Sequence, residues 1–279
     1  MKILVCGAGG MLGQDLVTAA VAGDHDVFAL ARAELDVNDA TAVSDAVSSA
    51  RPDAVINCAA WTDVDGAEAE PEEALRVNGD GAGNVAAVAA EAGVSVLYVS
   101  TDYVFDKQKN KPYVKSDTPA PLSSYGRSKL AGEQATAAAN PRHLIVRSSW
   151  LFGAHGGNFV ETMLRLGAER DELRVVHDQV GCPTWTGHLA QALIRLVAGD
   201  EYGVHHLAGG GECSWCDFAR EIFHQAGVGC EVHPITTDEY PLPATRPAYS
   251  VLRSTRGGEL PPWQEGLRGY LGEREALAA

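Results

Sequence analysis

The strand-like run Lys2 to Cys6 leads directly into Gly7-Ala8-Gly9-Gly10-Met11-Leu12-Gly13, and a helical-period segment opens at Met11. Glycines here let the chain turn tightly after a strand and bring its backbone close to a ligand. The helix start behind the turn offers free N–H groups to an anion. The spacing satisfies both G-x-G and G-x-x-G-x-x-G, and between a strand and a helix such a turn cradles a dinucleotide pyrophosphate. Gly7, Gly10, Met11, Leu12 and Gly13 are therefore candidate cofactor contacts.

The alternation begun there continues. Strands are predicted at Asp26 to Leu30, Ala54 to Cys58, Val94 to Ser100 and His143 to Arg147. Helices are predicted at Met11 to Ala22, Ala40 to Ala50, Pro71 to Ala92 (one long Ala-rich helix) and Ser124 to Ala139. Strands separated by helices form right-handed βαβ units with a parallel sheet covered on both faces. The expected fold class is α/β, a Rossmann-like doubly wound parallel sheet over residues 1–150. Beyond Trp150 the pattern loosens into Gly- and Pro-punctuated sequence. Residues 151–279 are expected to form mainly a smaller C-terminal substrate lobe, with some segments returning to the sheet. The stripes Val17 to Val21 and Leu189 to Val197 read as helix faces on the core.

Composition removes several alternatives. With 22 basic against 37 acidic side chains the net charge is −15, and no Lys/Arg run offers a patch for nucleic acid or an anionic membrane surface. No apolar stretch reaches the length of a membrane span and no signal-peptide pattern opens the chain, so a cytoplasmic location is expected. The six cysteines are scattered, which argues against a disulfide framework. Cys213-Ser-Trp-Cys216 has zinc or redox spacing but no second ligand pair follows, so no metal site is assigned.

Two positions refine the chemistry. Arg32 ends the second strand, about 20 residues past the glycines, where a carboxylate would select NAD. A guanidinium there suits the 2′-phosphate of NADPH, with NADH the alternative, whereas a solvent-facing Arg32 beside Glu34 and Asp36 would carry no selectivity. Tyr125-Gly-Arg-Ser-Lys129 places a phenol and an ammonium on one helical face. A tyrosine titrates near 10, and a neighbouring cation would lower that value. The pair follows the fourth strand, whose end carries Ser100-Thr101-Asp102-Tyr103-Val104-Phe105 and so delivers a hydroxyl and a carboxyl to the sheet edge where α/β ligands bind.

With these residues the chain resembles the extended short-chain dehydrogenases and, within them, the dTDP-4-dehydrorhamnose reductases. The resemblance rests on the glycine turn, Asn57-Cys-Ala-Ala-Trp-Thr62, Ser100 to Phe105 and the Tyr125/Lys129 pair. It continues through Arg147-Ser-Ser-Trp-Leu-Phe-Gly153, Asp178-Gln-Val-Gly-Cys-Pro-Thr184, His206 to Gly211 with Ser214-Trp215, and Arg246-Pro247. It implies Tyr125 as proton donor, Lys129 as the group that tunes it and binds the nicotinamide ribose, and Thr101 as the hydroxyl polarising the substrate carbonyl. It also implies Asp102 and Trp150 beside a dTDP-sugar. Gly10 to Leu12, Asp36, Val37, Ala60, Trp61 and Thr62 would surround the dinucleotide, with Asp36 at the adenine end. Cys58 departs from the family's usual Ala, a small-for-small change. Some members use Mg²⁺ at a dimer contact; the sequence assigns no residues to it and leaves monomer and homodimer open.

The implied reaction is NADPH-dependent reduction of the C4 keto group of a dTDP-4-dehydro-6-deoxysugar, giving dTDP-L-rhamnose. Which keto-sugar is reduced stays open, a dihydrostreptose precursor included. A 4,6-dehydratase or epimerase shares the fold, but dehydratases resemble one another in Thr-Asp-Glu where this chain has Thr101-Asp102-Tyr103. A non-catalytic NADP-binding regulatory subunit is a third reading, against which the intact Thr101, Tyr125 and Lys129 stand. Simpler roles are expected elsewhere: His205 and His206 structural, Trp263 and Tyr270 packing a C-terminal helix onto the second lobe, and Glu68, Glu70, Glu72 and Glu73 a solvated face at a helix start. Arg32, Lys129 and Arg246 are the cations expected to meet the ligands' phosphates.

Overall fold

The computed structural model describes residues 1–106, 109–256 and 258–278. Six strands form one parallel sheet: β1 (Lys2–Cys6), β2 (Asp26–Leu30), β3 (Ala54–Asn57), β4 (Ser95–Thr101), β5 (His143–Ser148) and β6 (Gly203–His206), in the order β6-β5-β4-β3-β1-β2. The chain leaves β1 for β2 on one side and later returns to place β3 on the other. The C-terminal end of β1 is therefore a topological switch point, where open α/β sheets bind ligands.

Successive residues of a strand point to opposite faces, and β1 shows it. Ile3 and Val5 pack with Leu12, Leu16 and Ala20 of helix α1 (Met11–Ala22), while Leu4 and Cys6 pack with Val43 and Val47 of α2 (Ala40–Ala50) on the other face. The expected single helix from Pro71 to Ala92 is broken. Helix α3 (Pro71–Leu75) passes through a π turn (Arg76–Asp80) into α4 (Gly81–Glu91). A π turn changes the carbonyl register, and here it frees the Asn78 carbonyl to accept the Tyr98 hydroxyl at 2.9 Å. Helix α5 (Ser124–Ala139) lies against α4 and begins at Ser123, whose hydroxyl caps Gly126 N–H.

The second half contributes α6 (Phe159–Glu169), α7 (Thr186–Val197), α8 (Trp215–Ala226) and α9 (Trp263–Ala278). Residues 186–206 complete the sheet, since α7 packs its Leu189, Leu193 and Val197 face on α1 and β6 extends the sheet beyond β5. The other segments make a separate apolar cluster that includes Phe152, Val160, Phe218, Ile222, Trp263, Leu267 and Tyr270. Trp263 and Tyr270 thus pack α9 on the second lobe, and Cys213 and Cys216 lie in the same cluster as small apolar side chains. His205 and His206 are buried, bonded to the carbonyls of Glu201 and Tyr113. Among the described residues no helix is long and apolar enough to cross a membrane.

Candidate active site

The glycine turn folds back on the sheet. Leu30 O accepts from Gly7 and Ala8 N–H at 2.9 and 3.0 Å, and Gly7 O accepts from Gly10 N–H at 3.1 Å. Gly7 has φ +78°, and a Cβ there would lie 2.6 Å from the Ala59 amide nitrogen. A Cβ on Gly13 would lie 2.8 Å from Ala8 Cα, so both positions bring backbone against backbone. Helix α1 starts with no side-chain cap and no acidic residue in its first turn. Its N–H groups and dipole therefore suit a diphosphate, and Gly7, Gly10, Met11, Leu12 and Gly13 stand together at its start.

The residues expected at the dinucleotide's adenine end lie in the loop after β2. Arg32 is exposed and joins no ion pair among the described residues. Asp36 accepts from both nitrogens of Asn38, and these bonds, with Arg76 and Arg32 close by, hold its carboxyl below the usual range. Val37 is buried, and its carbonyl and that of Asn38 accept from Asn84 Nδ2. Ala60, Trp61 and Thr62 form the loop after β3. Asn78 fixes that loop: Oδ1 accepts from Trp61 N–H at 2.9 Å, and Nδ2 donates to Trp61 O and to Ser128 Oγ. Asn78 joins the loop after β3 to α5, which its setting in an Ala-rich helical segment did not signal.

Thr101 ends β4, and its hydroxyl accepts from Tyr103 N–H at 3.2 Å and donates to Asp102 Oδ1 at 3.2 Å. Tyr125 is half-buried, edge-on to Tyr103 with ring centroids 5.9 Å apart. Lys129, one turn on, is buried. Its Nζ donates to Val99 O at 2.7 Å and sits 4.1 Å from the centre of the Tyr98 ring. The expectation that Lys129 lowers the phenol's pKa is corrected here. Burial pushes Tyr125 up to about 12, with Thr101 pulling the other way and Asp102 adding to the rise. Burial also pushes Lys129 down to about 7. Both groups are desolvated, which disfavours both charged forms. The phenol therefore stays protonated at neutral pH, the state in which a proton donor must begin. Asp102 is buried beside it, and burial raises its carboxyl to about 7 against the pull of the Ser250 and Thr101 hydroxyls.

Two charged groups take other roles than expected. Glu68 accepts from Ser124 N–H at 2.7 Å and Ser124 Oγ at 2.9 Å, so it clasps the start of α5 instead of facing water. Arg246 is paired, Nη1 to Asp65 Oδ1 at 3.0 Å and Nη2 to Asp65 Oδ2 at 2.7 Å, and acts as a strap between the Pro-rich segment and the loop after β3. It is not a free cation awaiting a phosphate.

Trp150 follows β5 and packs against the second apolar cluster. Its φ of +47° is rare for a large side chain and marks a backbone held by its surroundings. The indole stacks on Trp215 with centroids 3.5 Å apart and planes 5° apart, and lies flat over Gly181, where a Cβ would come within 2.7 Å of it. Trp215 is anchored in turn by Nε1 donating to Gln179 Oε1 at 3.2 Å.

Residues 1–275 match the family described as RmlD substrate binding domain. A dTDP-4-dehydrorhamnose reductase of Sinorhizobium fredii is 42% identical over 284 residues, spanning 96% of each chain. The chain belongs to the dTDP-4-dehydrorhamnose reductase family. Its likeness extends to a dTDP-4-keto-6-deoxy-D-glucose reductase of Streptomyces niveus, 43% identical over 251 residues that cover 89% of this chain and 87% of that one. The crystal structure of the Bacillus anthracis dTDP-4-dehydrorhamnose reductase in complex with NADP superimposes with a TM-score of 0.95 at 38% identity, covering 98% of this chain and 99% of that one. Among the described residues no group of three or more His, Cys, Asp or Glu side chains could hold a metal ion.

Proposed function

We propose that the protein reduces the C4 keto group of dTDP-4-dehydro-6-deoxy-L-mannose with NADPH, giving dTDP-L-rhamnose. The observation that carries this reading is the gathering of Thr101, which ends β4, with Tyr125 and the buried Lys129 one turn apart on α5, Lys129 Nζ donating to Val99 O of β4. The glycine turn opens on the same edge. The nicotinamide, when bound, supplies the hydride. Tyr125 donates its proton to the oxygen on which negative charge develops, and Thr101 donates a hydrogen bond to that same oxygen. Both interactions strengthen as the charge grows, so they favour the transition state over bound substrate. Lys129 stands one helical turn away to hold the ribose. Gly7 to Gly13 take the diphosphate, Arg32 the 2′-phosphate, Asp36 and Val37 the adenine end, and Ala60 to Thr62 the remaining cofactor wall. Asp102 and Trp150 face the sugar nucleotide.

The test is an assay with dTDP-4-dehydrorhamnose and each nicotinamide in turn. Stoichiometric oxidation of NADPH with formation of dTDP-rhamnose is expected, NADH being the poorer donor. A product formed without net NADPH consumption would overturn the reading in favour of a dehydratase or epimerase. The Streptomyces niveus relative, as similar as the rhamnose-pathway enzymes, supports one second reading: dTDP-4-keto-6-deoxy-D-glucose as substrate. Faster turnover of that sugar in the same assay would establish it.

A further inference from the structure

Behind the catalytic pair lies a buried charge network that the reaction as described does not use. Glu133 follows Lys129 by four residues on α5, so the two share a helix face. Its carboxylate is held in two directions. Arg147 of β5 pairs with it through both arms, Nε to Oε1 at 2.8 Å and Nη2 to Oε2 at 2.6 Å, and Ser100 Oγ of β4 donates to Oε1 at 2.6 Å. Ser100 directly follows Val99, whose carbonyl takes the Lys129 ammonium, so β4 receives Glu133 and Lys129 at consecutive residues. Glu133 and Arg147 are only 4% and 3% exposed, and Arg147 is wedged 5.0 Å from the Phe105 ring centre with His206 on its far side.

A buried ion pair gains little stability over an apolar pair of the same size, so its presence here asks for another reason. We propose that Glu133 is a positioning residue for the reduction described above: locked by Arg147 and Ser100, its carboxylate keeps the Lys129 ammonium charged and seated against β4. The groups that face Lys129 leave this to Glu133. From α5 itself comes the protonated Tyr125 phenol. From β4 comes the Tyr98 phenol, which donates to Asn78 O and is held protonated by burial. From the loop after β3 comes Cys58, a thiol that burial pushes up to about 12. Asp102 lies beyond Tyr125 and Arg147 beyond Glu133. Of these neighbours Glu133 is the carboxylate paired with Arg147, and it acts on Lys129, where its field opposes the burial that pulls the ammonium toward neutrality.

The inference rests on the reductase reading, and its test separates the two. Glu133→Gln removes the charge and leaves Arg147 buried without its partner. The pair Glu133→Leu with Arg147→Met removes both charges together and keeps the site filled should the single variant not fold. Glu133→Asp retains a carboxylate. Each is checked for a cooperative thermal melt, and the Lys129 side chain is titrated by carbon NMR at the position next to Nζ, which needs no substrate. The Lys129 midpoint is expected to fall by one pH unit or more in Glu133→Gln and in the paired variant, and to stay near its original value in Glu133→Asp. The alkaline limb of the kcat–pH profile should move down by the same amount while the KM for the sugar nucleotide holds. An unchanged midpoint in a folded variant lacking the carboxylate overturns the proposal, as does a shifted midpoint with an unmoved rate profile. Failure of the wild type to oxidise NADPH would refute the reductase reading while leaving the NMR result to stand or fall by itself.

Discussion

The two main apolar clusters of the fold are built by different means. On the nucleotide side, parallel strands of four to seven residues end in register, and their last residues and the turns behind them set where Gly7, Thr101 and the loop after β3 stand. On the other side a five-residue ladder joins Glu172–Val176 to Glu231–Ile235, but the ladders next to Trp150 and Trp215 are two residues long, Leu151–Phe152 with Thr184–Trp185 and Val180–Gly181 with Cys213–Ser214, and aromatic rings stack on one another there. Backbone ladders place atoms for bond making. Stacked rings shape a wall that recognises a flat or apolar face and yields to it. Changes in the first half should therefore strike kcat and cofactor binding, and changes in the second should strike the KM of the sugar nucleotide.

The sharpest break of that division is Tyr125→Phe. It removes one proton donor and leaves the ring's packing against Tyr103, so kcat should fall by ~10² to 10⁴ with a normal melt and normal NADPH binding. Stopped-flow NADPH oxidation measures it, and turnover near wild type would take Tyr125 out of the donor role.

Next in size is an effect of acid on the first half. Burial, and then Arg147, push the buried His206 down to about 4 from an ordinary value of 6.5. A group whose folded value is depressed in this way favours the folded state in its neutral form. Its contribution is complete above pH 6.5 and is lost as pH falls toward 4, amounting to about 3 kcal/mol at the lower end. Thermal melts across that window should show the loss, and His206→Gln should flatten it.

A methyl group should suffice to disturb the glycine turn. Gly13→Ala drives a Cβ into Ala8, and overpacking of this kind costs ~1–3 kcal/mol, read as a ten- to hundredfold weaker NADPH affinity in a fluorescence titration. The smallest effect belongs to the second half. Trp215→Ala takes away the ring beneath Trp150, a stack contributing about 1 kcal/mol beyond its area. The KM for the sugar nucleotide should rise about tenfold while NADPH affinity is kept. Equal damage to cofactor binding would erase the division between the halves.

Legibility in the sequence follows the same line. The strands, the helices and the glycine turn of the first half could be read because each carries its own short-range periodicity; Tyr125 and Lys129 stood out by helical spacing, and the roles given to them and to Thr101 came from the family resemblance. The π turn was invisible, since Arg76 to Asp80 continues a helical pattern and differs only in what Asn78 meets in space. Glu68 looked like one charge in a solvated run because its partner, Ser124, lies 56 residues away. Arg246 read as a free cation for the same reason, its carboxylate being 181 residues distant at Asp65. The coupling of Lys129 to Glu133 sat in plain view at helical spacing, yet the Arg147 that fixes it comes from another strand. The direction of the tyrosine's shift was missed because burial, which outweighs the cation, is set by tertiary packing.

The return of residues 186–206 to the sheet bears on how the chain is made as well as how it works. The helix that covers the apolar face of α1, and the strand that closes the edge of β5, are translated only after the excursion through residues 151–185. Until they emerge from the ribosome, the nascent nucleotide half shows Leu12, Leu16 and Ala20 to water and carries an unpaired strand edge open to wrong partners. A fragment cut after residue 150 would keep that exposure permanently. The glycine turn thus comes early in the chain, and the packing behind it is complete only once residues 186–206 have been made.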